Sequence, residues 1–314
     1  MPHGQIAEMG VVCNNSEVQT TGNVLMVRPA AFGYNAETAA SNAFQNTSRE
    51  SERDVAERAV AEFETFVECL EAKGVSVLVI EDPVVQPTPD AVFPNNWLSL
   101  HETGDVILYP MAAPNRRSER RLDVIERLRD EFFVRDVIDL TKFEDEGKYL
   151  EGTGSIVFDH ITQIAFACLS LRTDATLLDL VCERLSYAPV NFHAVDRTGL
   201  EIYHTNVMMC VATEFAVICN ESISSGSPAE RLAESGREIV EITVDQMHEF
   251  AGNMLVVRDN LLLMSQRARN ALREEQIRVL EKYCEILSPN IPTIETVGGG
   301  SVRCMIAENF LPKL

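Results

Sequence analysis

Residues 153–170 read TGSIVFDHITQIAFACLS. A small polar lead-in runs into an apolar β-type stretch, then a polar turn, DHITQ, then a second apolar stretch. That pattern predicts a β-hairpin. It recurs along the chain: GNVLMVRP begins at Gly22, NNWLSLHETGDVILYP at Asn95, HTNVMMCVATEFAVICNES at His204 and AGNMLVVRDNLLLMSQRA at Ala251. The last three also read as hairpins, with HETGD, ATE and RDN as turns. The first holds one clear strand, and the distant run SVRCMIAE, residues 301–308, is its expected partner. Amphipathic stretches follow the hairpins. The longest is SRESERDVAERAVAEFETFVECLEAKG, with Val55, Val60, Phe63, Phe66, Val67 and Leu70 as its apolar positions and Gly74 as its stop. TDATLLDLVCERLSY predicts another helix, with Thr173 as N-cap. QRARNALREEQIRVLEKYCEIL predicts one helix after the fifth hairpin. A further strand is expected after each helix: VSVLVIE, FVRDVIDL, APVNFHAV, REIVEITV and IPTIETV.

The unit is therefore hairpin, helix, strand, about five times over. One such unit cannot bury both faces alone, so neighbours must pack about a shared centre. The expectation is an α/β fold, a closed five-bladed propeller of ββαβ modules in a single domain over residues 1–314.

Composition narrows the function. The chain has 314 residues and a formal net charge of −21. So acidic a surface repels phosphate backbones and anionic lipid, which argues against nucleic-acid and membrane partners. No apolar run approaches a membrane span, and MPHGQIAEMG lacks the basic and apolar regions of a signal peptide. Eight cysteines, mostly inside apolar runs, predict reduced thiols and a cytoplasmic protein. Neither CxxC nor HExxH occurs, so no metal is expected.

Asn23, Asn96, Ser155, Asn206 and Asn253 introduce the five units. Asp90, Glu151 and His204 stand just upstream or at the same place in their units. Cys304 follows the glycine run Gly298 to Gly300, which permits close approach of backbone to a ligand. Each has a bland use: Asp90 and Glu151 suit turns, and a cysteine in an apolar run is most often a buried thiol. In a closed repeat, equivalent positions face one mouth. Asp90, Asn96, Glu151, His204, Asn206 and Cys304 would then converge, and a thiol, an imidazole and carboxylates are the parts of thiol nucleophilic catalysis.

These motifs resemble those of the guanidino-group modifying enzymes of the pentein superfamily, closest to the citrulline-utilisation hydrolase or amidinotransferase-like arginine dihydrolase type. The resemblance runs from VLMVRP to CMIAENF and implies the five-bladed fold. PDAVFPNNW resembles the stretch of dimethylarginine hydrolases in which two aspartates hold the guanidinium. Asp90 matches the first, and Asn96 stands in place of the second. LEGTGS resembles the deiminase EGGD, which implies Glu151 as the triad carboxylate. YHTN resembles H-x-D, which implies His204 as general acid/base and Asn206 in place of an aspartate. GGGSVRCM implies Cys304 as nucleophile. APNRR and SLRTD imply Arg116 or Arg117, and Arg172, as holders of the substrate carboxylate.

An amide both donates and accepts, so Asn96 and Asn206 suit a guanidinium or a neutral ureido group. The expected activity is hydrolysis of arginine, citrulline or both to ornithine, ammonia and carbon dioxide, with a small-molecule substrate and no cofactor. The alternatives are a deiminase or dimethylarginine-type hydrolase that stops at citrulline, and an amidinotransferase. From another class, a five-fold ring can be a bare binding module, as in the ribosome anti-association initiation factor. That reading expects no triad. A homo-oligomer is left open.

Overall fold

The computed structural model describes residues 18–83, 88–258 and 260–314. Cys13, one of the eight expected thiols, lies outside them; the other seven cysteines are free. Strand β1 (Asn23–Arg28) leads through a short helix α1 (Ala36–Ala39) into α2 (Glu52–Ala72) and β2 (Ser76–Glu81). The second unit is the hairpin β3 (Leu98–Leu100) and β4 (Asp105–Leu108), helix α3 (Leu122–Arg129) and β5 (Asp136–Asp139). A one-turn helix α4 (Gly152–Ser155) opens the third, with β6 (Ile156–Asp159), β7 (Ile164–Cys168), α5 (Ala175–Leu185) and β8 (Ala188–Ala194). The fourth holds β9 (Met209–Val211), β10 (Phe215–Ile218), β11 (Ile223–Ser225), α6 (Pro228–Ala233), β12 (Glu238–Glu241) and α7 (Val244–His248). The fifth holds β13 (Leu255–Val257), β14 (Leu261–Leu263), α8 (Gln266–Ala271), α9 (Glu274–Glu281) and β15 (Glu285–Leu287), and β16 (Ala307–Glu308) ends the order.

Among the described residues these strands form five small mixed sheets. In four of them a hairpin is antiparallel and its second strand pairs in parallel with the strand after the helix. In the remaining sheet, β1 pairs in parallel with β2 and antiparallel with β16, Val24 facing Glu308 and Leu25 facing Ala307. The burial of each strand follows its sequence. β4, β6, β7 and β10 are buried along their whole length and are almost wholly apolar, whereas β5 and β8 are half exposed and carry polar residues. The hairpins thus lie deep and the post-helical strands lie outside. α2 turns Val55, Ala59, Phe63, Phe66 and Leu70 inward at three- and four-residue spacing, behind an N-cap at Ser51. No helix among the described residues is long and apolar enough to cross a membrane.

Several local expectations are corrected. IPTIETV is not a strand: residues Ile294–Gly298 form a π-helical turn. Ile294 and Val297 fill a buried corner rather than a sheet. The fifth outer strand is instead β15, inside what reads as helix, and the helix divides into α8 and α9. α7 was not anticipated in ITVDQM. It forms because Thr243 and Gln246 make a reciprocal capping box. Asp174, not Thr173, caps α5, because its carboxylate reaches the amides of both Thr176 and Leu177. Cys304 does not begin a strand: it lies in a tight turn closed by Ser301 O accepting from Cys304 N at 2.9 Å, and β16 starts three residues later.

Candidate active site

The ends of several units meet at a narrow cavity lined by Thr38, Asn42, Asp90, Phe93, Asn96, Arg116, Arg172, Tyr203, His204, Gly298, Gly299, Gly300 and Cys304. The glycines are there for space. Gly299 sits at φ +67°, and a Cβ on it would lie 2.6 Å from the Asn42 amide nitrogen; a Cβ on Gly300 would lie 2.8 Å from the Phe93 ring.

His204 is buried beside the cavity, and its Nε2 lies 2.8 Å from Glu151 Oε2. A carboxylate there only accepts, so Nε2 carries the proton and Nδ1 is the basic nitrogen. Glu151 is fully buried. Its other oxygen accepts from Ala112 N at 3.0 Å, and Arg172 Nη1 lies 3.5 Å from Oε2. Burial pushes this carboxyl up, but Arg172, His204 and Arg116 outweigh it and hold it below the usual range. Burial, which Glu151 only partly offsets, takes His204 down to about 4. The imidazole is therefore neutral at neutral pH. Burial also pushes the Cys304 thiol up, against hydrogen bonds from its surroundings. At neutral pH the proton therefore stays on sulfur.

Asn206 Nδ2 lies 3.6 Å from Cys304 Sγ. Asp90 Oδ2 accepts from Asn35 Nδ2 at 2.8 Å and lies 3.6 Å from Arg116 Nε. Burial pushes Asp90 up, against Arg116 and Asn35. Arg116 donates Nε and Nη2 to the two oxygens of Glu119, both at 2.9 Å, and Nη1 to Asn96 Oδ1 at 2.7 Å. Arginine cannot accept, so this contact fixes which way the Asn96 amide points. Three buried polar atoms at the site then lack partners: Asn96 Nδ2, Asp90 Oδ1 and Asn206 Oδ1. Two are acceptors and one is a donor.

The structure brings Asp90, Asn96, Arg116, Arg172, His204 and Cys304 to one cavity, with Glu151 behind His204 and Asn206 beside the sulfur. It does not bring Arg117 there: that guanidinium donates to Met111 O and pairs with Glu144 at 3.2 Å. Arg172 packs over the Tyr203 ring, 4.8 Å from its centroid, and donates to Ser41 Oγ and Thr38 O. Asn35, Thr38, Ser41 and Asn42, which hold the site's charged groups and wall, were not foreseen. They lie in a stretch with no hydrophobic period and no motif, so nothing local marks them.

Gly154 separates the two halves of the site. A Cβ there would fall 2.4 Å from Asn96 Nδ2 and 2.9 Å from His204 Nδ1. If Asn96 and His204 serve the reaction, Gly154→Ala should cut kcat by at least about 10²-fold, because reacting groups tolerate displacement poorly, and should also lower stability by about 1–3 kcal/mol through overpacking. Steady-state rates beside a urea unfolding curve would check this.

The family model described as N,N dimethylarginine dimethylhydrolase, eukaryotic, matches residues 28–311. Curated proteins give no match. Among solved structures, the N-terminal domain of ArgZ covalently bound to a reaction intermediate superposes with a TM-score of 0.70 at 18% identity, over 92% of this chain and 99% of that one. ArgZ itself, an arginine dihydrolase from the ornithine–ammonia cycle in cyanobacteria, gives 0.71 at 17% identity over 93% of this chain, which spans only 41% of its length. A dimethylarginine dimethylaminohydrolase in adduct with S-methyl-L-thiocitrulline gives 0.64 at 15% identity, over 92% and 99%. At such identities the likeness speaks for the fold alone.

Proposed function

This chain belongs to the N,N dimethylarginine dimethylhydrolase family, enzymes that hydrolyse guanidino C–N bonds through a cysteine, and from that premise we propose that it takes arginine, citrulline or both to ornithine, ammonia and carbon dioxide. The observation that carries this reading is the trio of unpaired atoms. A guanidinium has only donors, which Asp90 Oδ1 and Asn206 Oδ1 would accept. A ureido group adds a carbonyl oxygen, and Asn96 Nδ2, held open by Arg116, would donate to it. A carboxylate at position 96 would repel that oxygen.

In this reading a bound guanidinium draws the thiol proton to His204 Nδ1, and Cys304 Sγ attacks the central carbon. The imidazolium, steadied by Glu151, gives that proton to the departing ammonia as the C–N bond breaks. An S-alkylisothiouronium remains. His204 then takes a proton from water, whose oxygen attacks the same carbon; the C–S bond breaks and citrulline forms. A second cycle on the ureido carbon releases ammonia again and leaves a thiocarbamate. Its hydrolysis gives the carbamate of ornithine, which loses carbon dioxide. Arg172, whose partners are mainly a hydroxyl and a carbonyl, holds the substrate carboxylate; Arg116 is committed to Glu119 and Asn96. We read the five sheets as blades of one closed propeller in a single domain. Supporting this, β16 joins β1 and also lies against β3, through a bridge from Leu100 to Asn309.

Family membership itself favours a second reading, release of dimethylamine from N,N-dimethylarginine. Purified protein given arginine, citrulline or dimethylarginine separately would decide. Ornithine from the first two, with two ammonia per arginine, is the expected result. Citrulline accumulating from arginine or dimethylarginine would overturn it.

A further inference from the structure

Cys304 has a second amide at its sulfur, from a residue with no role so far. Asn253 Nδ2 lies 3.3 Å from Sγ, closer than Asn206. Its orientation is fixed from both ends. Asn253 Oδ1 accepts the backbone N–H of Arg303 at 3.1 Å, so the other end of the amide must be the donor. Nδ2 also donates to Asn206 O at 3.0 Å, which ties it to the neighbouring unit. The residue is fully buried and is not among those that line the cavity. Arg303 lies within the nucleophile's turn, but its Nη1 points to the carbonyls of Met209 and Met254. A thiolate born in so dry a place needs donors, and a neutral amide supplies one without presetting the charge.

We infer that Asn253 is a catalytic residue: its side-chain amide hydrogen-bonds the Cys304 thiolate, and with Asn206 it forms a two-amide cradle that stabilises sulfur whenever it is anionic, at attack and again when water expels it. The inference rests on Cys304 being the nucleophile. The covalent chemistry is unchanged; the cradle lowers the energy of the sulfur anion before each C–S bond forms and after it breaks.

The test is the pH dependence of Cys304 alkylation by iodoacetamide in the substrate-free full chain, followed by peptide mapping. Hydrogen bonds to charged groups are the strong ones. Asn253→Ala should move the alkylation midpoint up and slow labelling at neutral pH by about ten-fold or more. Asn253→Asp, nearly isosteric and still able to accept from Arg303 N, should slow it further, because it sets a carboxylate where the donor stood. An unchanged midpoint in a folded variant would overturn the proposal, since a merely structural residue would alter stability and not this profile. Should neither variant fold, the wild-type protein decides: the Asn253 side-chain amide resonances should shift with the same midpoint as thiolate absorbance at 240 nm, and independence of the two would overturn it. Failure of the underlying reading looks different: turnover would then survive in Cys304→Ser.

Discussion

Cys304→Ala is expected to lower turnover of the guanidino or ureido substrate by about 10⁴-fold or more, the scale seen when a nucleophile is removed from a covalent catalyst. The fold should tolerate the change. The thiol is small, its two contacts are long amide donors, and neighbouring Met305 and Ile306 fill the core beneath it. Substrate binding should survive, because Asp90, Asn96 and Arg172 are untouched. The informative comparison is therefore turnover against substrate affinity by calorimetry. Loss of kcat with affinity within a few-fold of wild type is expected. A variant with appreciable turnover would remove Cys304 from the chemistry.

Glu151→Gln is expected to damage both catalysis and stability. In the proposed mechanism Glu151, 2.8 Å from His204 Nε2, sets the orientation and tautomer of that ring and supports the imidazolium that forms. An amide keeps the shape and loses the charge. A comparable loss in a serine protease costs about 10⁴-fold, so a fall of about 10³- to 10⁴-fold in kcat is expected. It also strands Arg172, whose Nη1 lies 3.5 Å from the carboxylate in a buried setting. Breaking a buried ion pair costs about 3–5 kcal/mol. The pH dependence has a definite sign. The folded carboxyl lies below its unfolded value, so its ionised form stabilises the protein above about pH 4.3. That contribution is lost as pH falls towards the folded value. The variant's urea midpoint should thus fall less steeply below about pH 4.5 than that of wild type. Activity within ten-fold of wild type would contradict the role given to Glu151.

The hairpins were the legible part of the fold. Their buried strands, such as IAFAC at Ile164 and FAVI at Phe215, are apolar on both faces, so local sequence suffices. The errors came where tertiary context overrides propensity. CEIL continues a helical pattern but pairs with Leu261–Leu263, and IPTIETV looks like a strand yet packs as a helical turn. Among site residues, those lying at lead-ins to units were readable because the repeat gives them equivalent addresses. Asn253 held such an address too, but its role depends on a sulfur fifty residues away. Asn35 to Asn42 belong to no repeat position, and only the fold brings them to Asp90 and Arg172.

The pairing of β1 with β16 has a kinetic consequence. It joins segments separated by almost the whole described chain, and the residues after it strap onward, Phe133 N donating to Pro312 O and Leu314 N to Glu131 O. Contacts so distant in sequence form late, because the loop-closure entropy must be met first. The turn bearing Cys304 sits immediately before this strap. Most of the sheets can therefore assemble while Cys304 still lacks the amides and the imidazole that meet it in the folded chain. A partly folded chain holds an ordinary cysteine; the enzyme exists only once the strap has closed.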